Sequence, residues 1–266
     1  MAPTVSSGQI SEFREKGVTV LRGVFSDWVD VLRKGVDANM ADPDPNARIY
    51  TGKDGGGRFF VDYCNWARIL EYKEFIFNSD AAAIGAELME SKQVQLFHEH
   101  VLVKEAATGV PTPWHQDAPY YCVDSAKTVS LWIPLDDVPR ETTPEFISGS
   151  HKWNKFYRPQ RFDGSALNEN DGLEDIPDIN GNRADFDILG WAVGPGDAIA
   201  FDYRTIHGAP ANASNSNQRR AFSLRLVGDN TRFVRREGIV TSPPFNEVTL
   251  KHGDVLAGEE FPVLLN

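Results

Sequence analysis

Apolar residues recur at helical spacing in the first third of the chain, where small polar residues precede each repeat. This pattern predicts three helices, each beginning at or just after a serine that can cap it and accept a hydrogen bond from the first turn. Gly17 is expected to end the first helix. The predicted helices are residues 7–16 after Ser7, the segment carrying Val29, Leu32 and Val36 after Ser26, and residues 80–90 after Ser79.

Beyond about residue 93 the pattern changes to short apolar or alternating runs that turn residues separate. Such runs are typical of an antiparallel sandwich or a jelly roll. Because helices precede the strands, we expect a helical layer packed against the outside of the β-core. The predicted strands of this core are residues 94–104, 128–135, 146–147, 188–193, 197–201 and 221–227, and two earlier strands are predicted at residues 18–21 and 58–63.

The whole chain, residues 1–266, is predicted to be a single domain without an internal linker. It divides into a helical part at about 1–92, a jelly-roll core at about 93–228 and a tail at 229–266, whose proline-containing last part, 241–266, is expected to lie along the surface. Residues 42–57 hold two prolines and four glycines and are predicted to be a loop. Residues 159–187 are long for a connection, which is typical of a lid or a binding loop.

The net charge of −11 argues against nucleic acid or an anionic membrane as a partner, because both require a basic surface. There is no apolar run long enough to span a bilayer, and the first residues lack the features of a signal peptide. Two cysteines, Cys64 and Cys122, give no disulfide framework. A cytoplasmic protein with a small-molecule partner is the simplest expectation, and the sequence leaves its oligomeric state open.

His115 and Asp117 form the most informative pattern, because residues at i and i+2 of an extended segment point to the same side. With His207 they would offer two imidazoles and one carboxylate to a metal, a set that suits non-haem ferrous iron with open positions. A pattern of this length also arises by chance, and the other four histidines are His98, His100, His151 and His252. Arg219 and Arg220 follow downstream, and a guanidinium suits a dicarboxylate ligand.

Several stretches of the chain match one known family in its order. They are residues 114–117 with Tyr120, 128–136, 149–152, 195–197, 207–209 with Asn212, and 219–221. Together, over about residues 8–228, they resemble the phytanoyl-CoA dioxygenase family of iron(II)/2-oxoglutarate oxygenases. Two departures stand out: residues 141–146 differ from the family's usual turn, and the interval from His207 to the arginines is about one residue longer.

The resemblance implies a mainly β fold, a double-stranded β-helix (a cupin-like jelly roll) whose N-terminal helices pack on one sheet. It implies Fe(II) as the metal, 2-oxoglutarate as co-substrate and O₂ as oxidant. The implied reaction is oxidation of a C–H bond in a small organic metabolite, most simply hydroxylation, with release of succinate and CO₂. The alternatives are desaturation, cyclisation or epimerisation by the same chemistry, and a non-catalytic cupin-like protein that binds a metal or a metabolite.

Site residues follow from the matched positions. His115, Asp117 and His207 are the implied iron ligands, while His151 is implied to be structural. Arg219 is preferred to Arg220 for 2-oxoglutarate, because neighbours on a strand face opposite sides and only one can point inward. Three further residues are candidates for contact with the co-substrate: Trp132, His100 and Ser130. The candidates for an apolar substrate pocket, each with a place in the core as its alternative, are Tyr120, Tyr121, Phe60, Tyr63 and Trp66.

Overall fold

The structure, a computed structural model, describes residues 4–52, 55–168, 171–212, 214, 216–236 and 239–266. Its α-helices all lie before residue 93 and include the three that the apolar spacing predicts. They are α1 (Ser7–Lys16), α2 (Val29–Ala41), α3 (Leu70–Asn78) and α4 (Ala81–Met89). Helix α3 was not predicted, because its N-cap residue Ile69 makes no side-chain capping bond and gives no start signal.

The helix ends differ from the prediction in their caps. Ser6, not Ser7, is the N-cap of α1, since its hydroxyl accepts from the Gln9 backbone while the Gln9 side chain returns to Ser6 N. Gly17 ends the helix in the left-handed region at φ 78°, as predicted. A 3₁₀ turn, Ser26–Trp28, precedes α2, and the Ser26 hydroxyl donates to Gly23 O instead of capping the helix.

Two antiparallel sheets form the β-core of the described chain, and the prediction of a jelly roll is confirmed. The larger has the order β1-β10-β7-β12-β4-β3-β2, with β14 also paired to β4, and the smaller has the order β5-β11-β8-β9. The strands are β1 (Val18–Leu21), β2 (Arg48–Thr51), β3 (Arg58–Tyr63), β4 (Val94–Lys104), β5 (Thr112–His115), β6 (Val123–Asp124), β7 (Thr128–Pro134), β8 (Glu145–Ile147), β9 (Ile188–Leu189), β10 (Ala198–Phe201), β11 (His207–Ala209), β12 (Arg219–Val227), β13 (Arg232–Phe233) and β14 (Val263–Leu265).

Side chains on the two faces of the larger sheet have different partners, because successive residues of a strand alternate sides. Val101 and Val103 of β4 face the helices, where Tyr72 and Phe75 of α3 pack in the main hydrophobic core. This arrangement confirms that the N-terminal helices pack on one sheet. His98, His100, Leu102 and Lys104 of the same strand point to the other side, into a cavity between the sheets.

Two predicted non-regular segments turn out to be structured. Residues 42–57 contain β2, which pairs with β3 and extends the larger sheet, so that this segment is not only a loop. The C-terminal segment was predicted to lie along the surface, but Val248, Leu256 and Phe261 are buried in a core cluster and β14 pairs with β4. Apolar residues spaced irregularly between prolines carry no periodic signal, which is why the sequence pattern missed this packing.

None of the helices in the described ranges is both long enough and apolar enough to cross a lipid bilayer.

Candidate active site

Three side chains on and next to the smaller sheet converge in the cavity, and we call His115, Asp117 and His207 the triad. His115 ends β5 and lies directly opposite His207 of β11, with their ring centroids 4.1 Å apart. Asp117 Oδ1 lies 3.7 Å from His115 Nε2 and 4.0 Å from His207 Nε2. One ligand atom from each residue lies within 4.8 Å of the others. The residues that the sequence singled out are therefore brought together.

The backbone at Asp117 differs from the extended conformation that the sequence predicts. Asp117 is not extended but has helical angles, φ −72° and ψ −40°, as it leads into the 3₁₀ turn Ala118–Tyr120. It still turns its carboxylate toward the two imidazoles, because the chain bends immediately after β5. His115 and Asp117 thus lie together as their spacing predicts, although Asp117 is not part of an extended strand.

Both triad histidines are oriented by a backbone carbonyl. His115 Nδ1 lies 2.8 Å from Pro113 O, and His207 Nδ1 lies 2.9 Å from Thr205 O. Burial lowers the pKa of His115 and lowers that of His207 to about 3, so that both rings are neutral at pH 7. A neutral ring that donates from Nδ1 leaves the Nε2 lone pair for a metal.

The Asp117 carboxylate is held through its second oxygen. Ser130 Oγ donates to Asp117 Oδ2 at 3.1 Å, and Arg225 Nη2 lies 3.6 Å from the same oxygen. Burial by itself would raise the pKa of Asp117, but Arg225 and then the triad histidines outweigh it and hold the pKa below its usual range. Ser130, predicted to contact the co-substrate, therefore touches the carboxylate instead. Arg225 was not predicted as a site residue.

This donor set fits a ferrous ion. Two neutral imidazoles and one ionised carboxylate are the ligands that non-haem iron(II) prefers. Within the described ranges, the triad is also the one group of three or more histidine, cysteine or acidic side chains with this spacing. His151 lies apart from it, with Nε2 3.2 Å from Arg14 O, in agreement with a structural role.

The far end of the cavity carries two buried cations, and we call Lys104 and Arg219 the cationic end. They lie directly opposite each other on β4 and β12. Lys104 Nζ donates to Pro210 O at 3.1 Å, and the Arg219 guanidinium donates to Thr142 O. Neither forms an ion pair with a carboxylate in the described part of the chain. Burial lowers the pKa of Lys104 and lowers that of Arg219 to about 10.

The two neighbouring arginines face opposite ways, as the alternation of a strand requires. Arg219 is buried and lines the cavity. Arg220 points to the helix side, where its Nη2 donates to Asp136 at 2.7 Å. Arg219 is therefore the arginine of this pair that a ligand in the cavity can reach.

The cavity has a volume of about 170 Å³ and runs from the triad to the cationic end. Besides Arg219, five of the residues predicted to bind co-substrate or substrate line it: Trp132, His100, Tyr120, Tyr121 and Tyr63. Phe60 was a wrong choice, because it faces the helices and is buried in the main core. Its neighbour Phe59, on the other face of β3, lines the cavity instead. Trp66 also packs against the main core.

Two chain segments that lie far apart in sequence cover the cavity. Gln160, Phe162 and Leu167 come from the segment predicted to be a lid, and Ser242 and Pro243 come from the C-terminal segment. The lid is held down by Tyr120, whose hydroxyl donates to Gln160 O at 2.5 Å and accepts from Gln160 N at 2.7 Å.

Comparisons with known proteins agree with this geometry. The family model described as phytanoyl-CoA dioxygenase (PhyH) matches residues 13–221, and no curated protein matches the chain. The chain is similar to the non-heme alpha ketoglutarate dependent carbocyclase SnoK from nogalamycin biosynthesis, with a TM-score of 0.75 and 19% identity over 97% of this chain and 96% of that one.

Two other solved structures have the same fold. The epimerase SnoN, in complex with Fe3+, alpha ketoglutarate and nogalamycin RO, has a TM-score of 0.76 and 21% identity over 97% of each chain. EctD from S. alaskensis, with 2-oxoglutarate and 5-hydroxyectoine, has a TM-score of 0.70 and 18% identity over 96% of this chain and 87% of that one. Because the family model covers most of the sequence, the chain belongs to the phytanoyl-CoA dioxygenase family of iron(II)/2-oxoglutarate oxygenases, as its motifs predict.

Proposed function

We propose that the protein is an iron(II)- and 2-oxoglutarate-dependent dioxygenase that hydroxylates an unactivated C–H bond of a small organic metabolite. The observation that carries this proposal is one cavity that joins the triad to the buried guanidinium of Arg219. When bound there, iron, 2-oxoglutarate and O₂ supply an oxidation that yields succinate, CO₂ and an oxygenated product. A cytoplasmic location remains a prediction of the sequence.

The triad would hold the metal with little rearrangement. The carbonyls of Pro113 and Thr205 orient the two imidazoles, and Ser130 keeps one oxygen of Asp117 occupied. Asp117 would therefore hold the metal through Oδ1, while Oδ2 accepts the hydrogen bond from Ser130. Contacts of this kind typically change metal affinity or activity by about 10–100-fold.

The cationic end would orient the co-substrate. A guanidinium binds a carboxylate through two parallel hydrogen bonds, and the buried position of Arg219 strengthens such a pair. Trp132, which also lines the cavity, would contact the carbon chain of 2-oxoglutarate. The function of these residues is to fix the distance and direction of the co-substrate from the metal.

The substrate would be enclosed by the aromatic wall and by the cover. Tyr63, Tyr120 and Phe59 offer an apolar surface, and the two hydrogen bonds between Tyr120 and Gln160 hold the lid over it. Exclusion of water protects a reactive oxidant from side reactions, which is the role that we assign to this cover.

The test is a metabolite screen that follows succinate release by the iron-loaded protein, with mass spectrometry of the products. Hydroxylation adds one oxygen atom to the substrate, whereas desaturation removes two hydrogen atoms, and cyclisation or epimerisation adds no oxygen. The likeness to the carbocyclase SnoK and the epimerase SnoN makes the outcomes without oxygen insertion the second candidate. Failure to convert 2-oxoglutarate with any metabolite or without one would instead favour a non-catalytic binding protein.

A further inference from the structure

The charge of the cavity is opposite to that of the whole chain. The chain carries a net charge of −11, yet one carboxylate, that of Asp117, stands among the described lining residues against four cations: Lys104, Arg161, Arg219 and Arg225. Iron(II), Asp117 and the two carboxylates of 2-oxoglutarate together carry one negative charge. The two buried arginines together carry two positive charges, so one positive charge is left without a counterion even when Lys104 is neutral.

Unsatisfied polar atoms cluster next to Arg225. His98 Nε2, His100 Nε2 and Ser223 Oγ are buried in the cavity lining without a hydrogen-bond partner in the described structure. The strand register places His98 opposite Arg225 and His100 opposite Ser223. Buried polar atoms in native proteins nearly always have partners, which indicates that a ligand or water completes this group.

Arg225 keeps hydrogen-bonding capacity of its own. Its Nε donates to the Tyr121 hydroxyl at 2.9 Å and its Nη1 to Ser223 O at 3.1 Å, while Nη2 lies 3.6 Å from Asp117, beyond hydrogen-bond distance. A guanidinium has five N–H groups, so this one can bind a further acceptor while it keeps the contacts that it has.

The cluster is separate from the cationic end. Arg219 and Arg225 lie six positions apart on the same face of β12, which corresponds to about 20 Å of extended strand. The row formed by Leu102 and Ala221 lies between them. A five-carbon dicarboxylate that binds Arg219 with one carboxylate and the metal at the triad with the other has no carboxylate left for Arg225, which approaches Asp117 at Oδ2 and not at Oδ1.

We propose that His98, His100, Ser223 and Arg225 form a second anion subsite, which binds a carboxylate or a similar oxyanion of the organic substrate. This inference rests on the proposed function, since it assigns 2-oxoglutarate to the other end of the cavity. The substrate would then be an organic anion with an apolar body, which the aromatic wall at Tyr63 and Tyr120 contacts.

The test uses the full-length protein loaded with nickel(II), as an inert metal, and with saturating 2-oxoglutarate. Benzoate and its neutral isostere benzamide are then titrated by calorimetry. Benzoate should bind at least about tenfold more tightly than benzamide, the size expected for a charged hydrogen bond. Equal affinity of the two probes, or no binding of benzoate, would overturn the subsite.

Variants test the second anion subsite independently of 2-oxoglutarate binding. Ser223→Ala does not alter any residue that touches the triad and should weaken benzoate several-fold without changing nickel or 2-oxoglutarate binding. Arg225→Gln should abolish the preference for benzoate, while Arg220→Gln, a change on the opposite face of the strand, should leave it intact. Benzoate affinity unchanged in both Ser223→Ala and Arg225→Gln would contradict the proposal. Failure of wild-type protein to bind 2-oxoglutarate would instead refute the proposed function.

Discussion

The triad and the cationic end lie in one cavity but differ in how their polar groups are satisfied. At the triad, each imidazole has a carbonyl partner and Asp117 has Ser130 and Arg225. At the cationic end, Lys104 and Arg219 contact backbone carbonyls and no carboxylate in the described ranges. The triad is thus organised before any ligand binds, whereas the cationic end has positive charge for which a ligand must supply the partner.

The largest effect is expected when the triad loses a member. His115→Ala, Asp117→Ala and His207→Ala should each lower turnover of 2-oxoglutarate by well over about a hundredfold, since even supporting contacts at metal sites are worth up to that factor. The fold should persist, which circular dichroism checks. His252→Ala, at an exposed histidine, is the matched control and should be fully active. Full activity of purified His207→Ala protein would rule out the triad.

The cationic end is tested by its adjacent arginines. Arg219→Ala should raise the KM for 2-oxoglutarate strongly, with a cost of about 2–5 kcal/mol, because the carboxylate of the ligand would remain buried without its cation. Arg220→Ala removes the ion pairs with Asp136 and Asp37 on the other face, and KM should change little. Steady-state kinetics over a range of 2-oxoglutarate concentrations decides the matter, and a larger effect at Arg220 would reverse the assignment.

The contrast between these arginines also shows what the sequence could establish. Alternation along β12 was enough to predict that just one of the pair faces inward. It also placed Ser223 and Arg225 on the same face as Arg219, but nothing in the sequence indicated that Arg225 would meet Asp117, since β5 and β12 belong to different sheets. Residues on one strand are predictable as a set, whereas contacts between sheets depend on packing.

This dependence on packing also explains the other differences between the predicted and the observed structure. Phe59 and Phe60 are chemically identical, and only the register of β3 against β4 decides which one reaches the cavity. Lys104 looks like a surface residue in sequence, yet it is 1% exposed, because it ends a central strand beneath the cover. The metal ligands were predictable because their residue types and matched motifs are specific. The cover from the C-terminal segment was not, because its contacts are irregular.

A smaller effect is expected from Ser130, which supports the triad without belonging to it. Ser130→Ala removes a hydrogen bond to a charged group, worth about 1.5–3 kcal/mol, and should weaken cobalt(II) binding by about tenfold or more. Absorption spectroscopy during a cobalt titration measures this. Thr128→Ser, on the same strand, is a control that should leave cobalt affinity unchanged. Affinity equal to wild type in Ser130→Ala would mean that Arg225 alone holds Asp117.

A last effect concerns the acid stability of the metal-free protein. Burial lowers the pKa of His98 and of His207 to about 3, so that between about pH 6.5 and 3 the unfolded chain takes up protons that the folded chain does not. Each such proton should lower the free energy of unfolding by about 1.4 kcal/mol per pH unit as the pH falls through this window. Urea titrations at several pH values measure the slope.

The control for acid stability is a variant that cannot take up the proton. His98→Phe should make the dependence on pH shallower, while His252→Ala, at an exposed position, should leave it unchanged. An identical slope in wild type and His98→Phe would show that this histidine is not held neutral by the fold.

The central claim is that the triad and Arg219 together support iron-dependent conversion of 2-oxoglutarate. The most direct measurement is succinate formed from 2-oxoglutarate in air without added substrate, by wild-type, His207→Ala and Arg220→Ala proteins with iron(II). We expect slow succinate formation by wild type and Arg220→Ala that stops when iron is chelated, and none by His207→Ala. Equal succinate formation by wild type and His207→Ala, or none by wild type, would contradict the account.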